Sequence, residues 1–128
     1  MSRRVLVVEN DTAVRNVVAA TVESIGYRAG FAAHASGFDA YTEAFPGDPY
    51  AIVMINVGMD QEGAELAQKI KDASSEKKSN VFIIGMSGYE PNSAVASKFD
   101  AYLEKPFQRE DLKSALDDAG TYLSSLSC

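Results

Sequence analysis

Residues 5–11 read VLVVEND: four aliphatic residues, Val5, Leu6, Val7 and Val8, run directly into Glu9, Asn10 and Asp11. A continuous run of β-branched and aliphatic side chains is what a strand buried on both faces requires, because neither side of the pleat meets water. The polar triplet marks the exit of that strand, and Asp11 or Asn10 is suited to cap a following helix. That helix carries Val14, Val17, Val18, Val22 and Ile25 on one face, with Gly26 as its stop. A doubly buried strand leading at once into a helix is the first half of a parallel crossover unit.

The same alternation repeats along the chain. Tyr27 to Ala33 make a weaker strand, and Phe38, Tyr41 and Phe45 mark a short helix ended by Pro46-Gly47. A third strand spans Ala51 to Ile55 and delivers Asn56 at its carboxyl end. Leu66, Ala67, Ile70 and Ala73 give a third helix, Val81 to Met86 a fourth strand, and Ser87-Gly88 the turn after it. Pro91 to Phe99 hold a short fourth helix, and Ala101 to Glu104 a fifth strand. Lys105-Pro106 then turn the chain into a last helix with Leu112, Ala115, Leu116, Ala119, Leu123 and Leu126 on one face. Five strands alternating with five helices predict a doubly wound α/β fold: a five-stranded parallel sheet with helices on both faces, as in flavodoxin-like proteins. Residues 1–128 are read as one domain.

Composition excludes several classes of function. With 46% hydrophobic and 23% charged residues, the chain is patterned for a packed core rather than disorder. No apolar run approaches the roughly 20 residues of a membrane span, and Val5 to Val8 are too short for a signal peptide, so a cytoplasmic protein is expected. A net charge of −6 opposes direct binding to nucleic acid. The richest basic stretch, Lys69 to Lys78, is diluted by Asp72 and Glu76 and reads as a solvated helix end. The one cysteine, Cys128, excludes an internal disulfide and a cysteine metal cluster.

In doubly wound folds the chemistry gathers outside the carboxyl ends of the strands. Here those ends supply Glu9, Asn10 and Asp11 from the first strand, Asn56 from the third, Ser87 from the fourth and Lys105 from the fifth. Each has an ordinary role open to it as a cap, a turn former or a surface charge. Together and in order, the stretches VLVVEND (5–11), YAIVMIN (50–56), IIGMSGY (83–89) and YLEKPF (102–107) are similar to the receiver domain of two-component response regulators over essentially the whole chain. The resemblance implies a domain in which an aspartate ending the third strand takes a phosphoryl group from a histidine kinase or a small phosphodonor. It further implies two acids after the first strand that help hold Mg²⁺, a hydroxyl and a lysine that contact the phosphoryl oxygens, and a switching aromatic in the fifth strand. By position these roles fall on Asn56 as acceptor, Glu9 and Asn10 as the acid pair, Ser87, Lys105 and Tyr102.

Two positions depart from that pattern. Asn56 is a neutral amide where aspartyl-phosphate chemistry needs a carboxylate nucleophile. Asn10 replaces an acid that a hard cation would use. Glu9 is left to balance Lys105, so the expected pocket is a degenerate one in which these two pair, the amides are satisfied internally, and Mg²⁺ binds weakly or not at all. The loop VGMDQEG (57–63) lacks the proline usual in the resemblance, and only 14 residues separate Ser87 from Tyr102, which suggests a remodelled fourth helix.

The reading that follows is a non-enzymatic pseudo-receiver: a protein-interaction module whose partner is a signalling protein, either a histidine kinase or an output protein, with no nucleic-acid or membrane contact. Any output is expected from that partner or from a larger parent protein. One rival keeps phosphorelay chemistry through Asp11, Asp60 or a deamidated Asn56. Another is a small flavodoxin-like enzyme or cofactor binder, opposed by the absence of glycine from the first strand-to-helix loop. His34, the lone histidine, is read as a surface residue without an evident partner.

Overall fold

Alternate residues of the first strand, β1 (Arg4–Val8), enter opposite sides of the sheet: Val5 and Val7 join one buried cluster, Leu6 and Val8 the other. All four are fully buried, which is why the run shows no polar alternation. The computed structural model describes residues 3–57, 62–88 and 93–126. Through them the chain continues as α1 (Thr12–Ile25), β2 (Arg28–Ala32), α2 (His34–Glu43), β3 (Ile52–Asn56) and α3 (Glu62–Glu76). Then follow β4 (Phe82–Ser87), α4 (Ser93–Ala96), β5 (Ala101–Glu104) and α5 (Arg109–Ser125).

The sheet has the order β2-β1-β3-β4-β5, and every pairing is parallel. The doubly wound architecture expected from the sequence is therefore the observed one. One core packs Val18 and Val22 of α1 and Leu112, Leu116 and Ala119 of α5 against Val7, Ile52, Met54 and Ile84. The other packs Tyr41 of α2 and Leu66, Ala67 and Ile70 of α3 against Leu6, Val53, Ile55 and Ile83. Each fully buried Leu or Ile contributes roughly 1.5–3 kcal/mol by leaving water, so the helices are held by these stripes rather than by propensity.

Several boundaries and faces differ from the sequence reading. Asp11, not Asn10, caps α1, accepting a bond from the Val14 N–H, and Gly26 closes the helix at φ 118°, a left-handed conformation that glycine adopts without strain. Val17 lies on the solvent side at 67% exposure, because it sits beyond the arc that Val18 and Val22 turn to the sheet. Leu126 follows the end of α5 and is likewise exposed. Asn56 and Ser87 are the last residues of their strands rather than turn residues, held by the β3–β4 and β4–β5 ladders.

The basic stretch is solvated except at Lys71. Its ammonium donates to the Val81 carbonyl at 3.1 Å and pairs with Asp100 at 2.7 Å, while Asp100 also accepts from the Ile83 N–H. These bonds tie α3 to the entry of β4 and of β5. The fourth helix is a single turn. Tyr89, Asp60, Cys128 and most of the loop 57–63 lie outside the described residues. Among the described residues no helix is long and apolar enough to cross a membrane.

Candidate functional site

Because the sheet is parallel, β1, β2, β3 and β4 release their last residues on one edge, and β5 delivers Lys105 beside them. The Lys105 N–H donates to the Ser87 carbonyl, extending the β4–β5 ladder by one bond and fixing where the lysine side chain starts. Ser87 itself is fully buried. The Lys105 ammonium then bridges two oxygens: Glu9 Oε1 at 3.0 Å and Asn56 Oδ1 at 2.8 Å. Glu9 is pinned from both sides, since its N–H donates to the Ala32 carbonyl and its Oε2 accepts from the Asp11 N–H at 3.3 Å.

The Glu9 side chain is only 4% exposed and that of Lys105 27%. A carboxylate so withdrawn from water depends on its partner, and removing one member of such a pair strands the other. The ion pair and the lysine–amide bond thus join β1, β3 and the segment after β5 at a single ammonium.

Asn10 turns elsewhere. Its Oδ1 accepts the N–H of His34 at 2.9 Å, the first residue of α2. The residue before that helix is Ala33, which has no side chain with which to cap it. Asn10 therefore supplies from β1 the oxygen that a cap residue would supply locally. The His34 ring reaches the other way, with Nε2 2.7 Å from the main-chain carbonyl of Asn56. A carbonyl only accepts, so Nε2 carries the proton.

His34 is thus not a partnerless surface residue but a member of the site, which corrects the sequence reading. The signal for it is topological: β2 also ends on this edge, so its exit belongs with those of the other strands. The contact goes to a backbone atom and so leaves no mark in side-chain composition. Of the remaining candidates, Asp11 is exposed and occupied in capping α1. Tyr102 lies across its β4 partner Gly85, where an added Cβ would come within 2.6 Å of the tyrosine ring, and it meets Phe99 edge-on at 5.6 Å. The glycine is what gives the ring room to lie against the sheet.

Two further openings flank this edge. A mixed cleft of about 400 Å³ is lined by Asn10, His34, Phe38, Glu62, Glu65 and Leu66, and an apolar groove of about 520 Å³ by Val14, Val17, Pro106 and Phe107. Among the described residues, no three His, Cys, Asp or Glu side chains converge as ligands to a metal would.

Residues 5–117 match the family model described as the response regulator receiver domain. Comparison with curated proteins by sequence finds no match. Among solved structures, the chain is similar to a response regulator receiver domain protein from Clostridium thermocellum, with a TM-score of 0.82, 21% identity and coverage of 97% of this chain and 98% of that one. It is also similar to a CheY-like receiver domain from Methylobacillus flagellatus, with a TM-score of 0.77, 20% identity and coverage of 93% and 99%. A third is the receiver domain of a histidine kinase from Arabidopsis thaliana, solved with Mg²⁺ and BeF₃⁻, with a TM-score of 0.77, 20% identity and coverage of 93% and 90%.

Proposed function

Since the chain belongs to the response regulator receiver domain family of two-component signalling, we propose that it is a receiver working without phosphorylation at the usual position, as a protein-interaction module rather than a catalyst. The observation that carries this reading is Asn56 at the end of β3, its amide oxygen held by Lys105. An amide offers no carboxylate to attack a phosphorus atom, so no aspartyl phosphate forms there. The Arabidopsis receiver was solved with Mg²⁺ and a beryllofluoride group. The pocket here presents one carboxylate already paired with an ammonium, and two neutral amides, a donor set that does not suit a hard divalent cation.

In this reading the contacts that a phosphoryl group and a cation would organise are made by the protein itself. The partner, a histidine kinase or an output protein, then meets one fixed surface, and its supply rather than a phosphoryl group sets the signal. The family's setting supports a signalling partner; the net charge of −6 speaks against a nucleic-acid one.

The test is intact mass and peptide mapping after treatment with acetyl phosphate and Mg²⁺, beside the variant Asn10→Asp/Asn56→Asp. The expected result is a phosphoryl group on the variant alone. Modification of the native chain, at any residue, would overturn the reading and identify the acceptor.

A further inference from the structure

Among the described residues, the side-chain oxygens of Glu9, Asn10 and Asn56 and the main-chain carbonyl of Asn56 are each taken by a donor of the protein. Lys105 holds Glu9 Oε1 and Asn56 Oδ1, the Asp11 N–H holds Glu9 Oε2, and His34 holds the remaining two: the Asn10 side-chain oxygen through its backbone N–H and the Asn56 carbonyl through its ring. Among the described residues, His34 is thus the one that grips both positions where an amide stands in place of an acid. It does so from the first turn of α2, so gripping them also fixes where that helix begins.

We propose that His34 is a latch: a positioning residue that keeps the pocket closed by turning the residue 10 side chain toward α2 and tethering the end of β3, independently of the missing carboxylates. The inference deepens the reading above and rests on it only in taking the native pocket as one without a resident cation. Restoring the two acids should then yield a weaker cation site than their charge alone would give. The side chain at position 10 must leave the helix N–H before it can turn inward, and the tether at position 56 opposes the adjustment. A carboxylate at position 10 would hold that N–H more strongly still, since it also meets the positive end of the α2 dipole.

The two halves of the latch can be removed separately. His34→Ala deletes the ring and keeps the N–H; His34→Pro deletes both. Proline suits this place because it is the first position of a helix, where no intrahelical bond uses the N–H, and Ala33 before it is already extended at φ −80° and ψ 166°. His34→Gln restores a side-chain donor of similar reach.

The experiment is calorimetric titration of Mg²⁺ into the full chain carrying Asn10→Asp/Asn56→Asp, with His, Gln, Ala or Pro at position 34. One hydrogen bond is worth about a fivefold change in affinity. The Ala form is expected to bind about fivefold tighter than the His form, the Pro form about twentyfold tighter, and the Gln form close to the His form. Equal affinities across the series, or a Gln form as tight as the Ala form, would overturn the latch. If the Pro form does not fold, the Ala and Gln forms decide the question. Saturable Mg²⁺ binding to the unsubstituted chain would instead overturn the reading of the native pocket, so the two failures are distinct.

Discussion

The carboxyl and amino ends of the same sheet both gather charge, and they handle it differently. At the carboxyl end Lys105 meets a glutamate that is 4% exposed. At the amino end Arg4 and Arg28, the first residues of β1 and β2, meet Asp48, whose side chain is 55% exposed. The Arg28–Asp48 contact has the shorter approach, 2.7 Å against 3.0 Å, and is doubled by a second bond at 3.3 Å. Judged by distance alone, the amino end would be the stronger. Water decides otherwise, because an exposed pair gains little over hydrated charges, whereas a buried carboxylate stripped of its partner has nothing to replace it.

The sharpest way to break this contrast is Lys105→Met. It leaves Glu9 buried and unpaired and removes the donor to Asn56, so a loss of about 3 kcal/mol is expected in urea unfolding, reduced somewhat by the partial exposure of the lysine. Adding Glu9→Gln to the same variant removes the stranded charge and should return most of that loss. A double variant no more stable than the single one would mean that Lys105 acts through its bond to Asn56 instead.

Which residues stand at the strand ends is legible in the sequence, because Asn10, Asn56 and Lys105 are placed by strand order alone. The core is legible for a similar reason, since the short, β-branched Val5 to Val8 run, bounded by polar residues, suits a strand covered on both faces. The direction in which a polar side chain turns is another matter. Asn10 caps α2 rather than its own loop because Ala33 cannot, and that is a relation between residues far apart in sequence. Likewise Val17 keeps the helical spacing of its neighbours, yet it falls outside the arc that the sheet can cover. Periodicity gives the stripe but not its width.

A second test extends the contrast to a group buried on the α2–α3 side of the sheet. Tyr41 is fully buried, and that burial pushes its phenol up to about 12, the neighbouring Ser74 hydroxyl opposing. Its folded pKa stands above the unfolded value of about 10, so its contribution is complete below pH 10 and is lost as the pH climbs toward 12. About 2.5 kcal/mol of stability is expected to disappear across that window. Tyr41→Phe should remove this part of the alkaline loss and leave stability at pH 7 nearly unchanged, because the Ser74 hydroxyl beside it already donates to the Lys71 carbonyl. Tyr27, whose phenol is also raised by burial and by Asp117, contributes the same sign in both proteins. The difference between the two curves therefore isolates Tyr41, and identical alkaline limbs would show that its hydroxyl is not desolvated in solution.

The smallest effect is expected at the amino end, from Asp48→Asn. Hydrogen bonding to the Arg28 guanidinium holds the Asp48 carboxyl below the usual carboxylate range against the opposing effect of desolvation, with the charges of Arg28 and Arg4 adding to the lowering. A carboxyl depressed in the folded state adds stability above its unfolded pKa of about 4 and loses it as the pH falls through the folded value. The change in its contribution with pH is thus confined to the acid limb, just as that of Tyr41 is confined to the alkaline one. Because the pair is exposed, it is also open to screening: any deficit of Asp48→Asn near pH 7 should vanish in about 0.5 M salt, where the Debye length falls to a few ångströms. The deficit of Lys105→Met should persist in the same salt, since ions cannot enter to replace the ammonium beside Glu9. If both deficits responded alike, exposure would not be what separates the two ends of the sheet. The cluster around Asp48, with Arg4 stacked on Tyr50 at 4.0 Å, would then have to be treated as one cooperative unit rather than as surface charge.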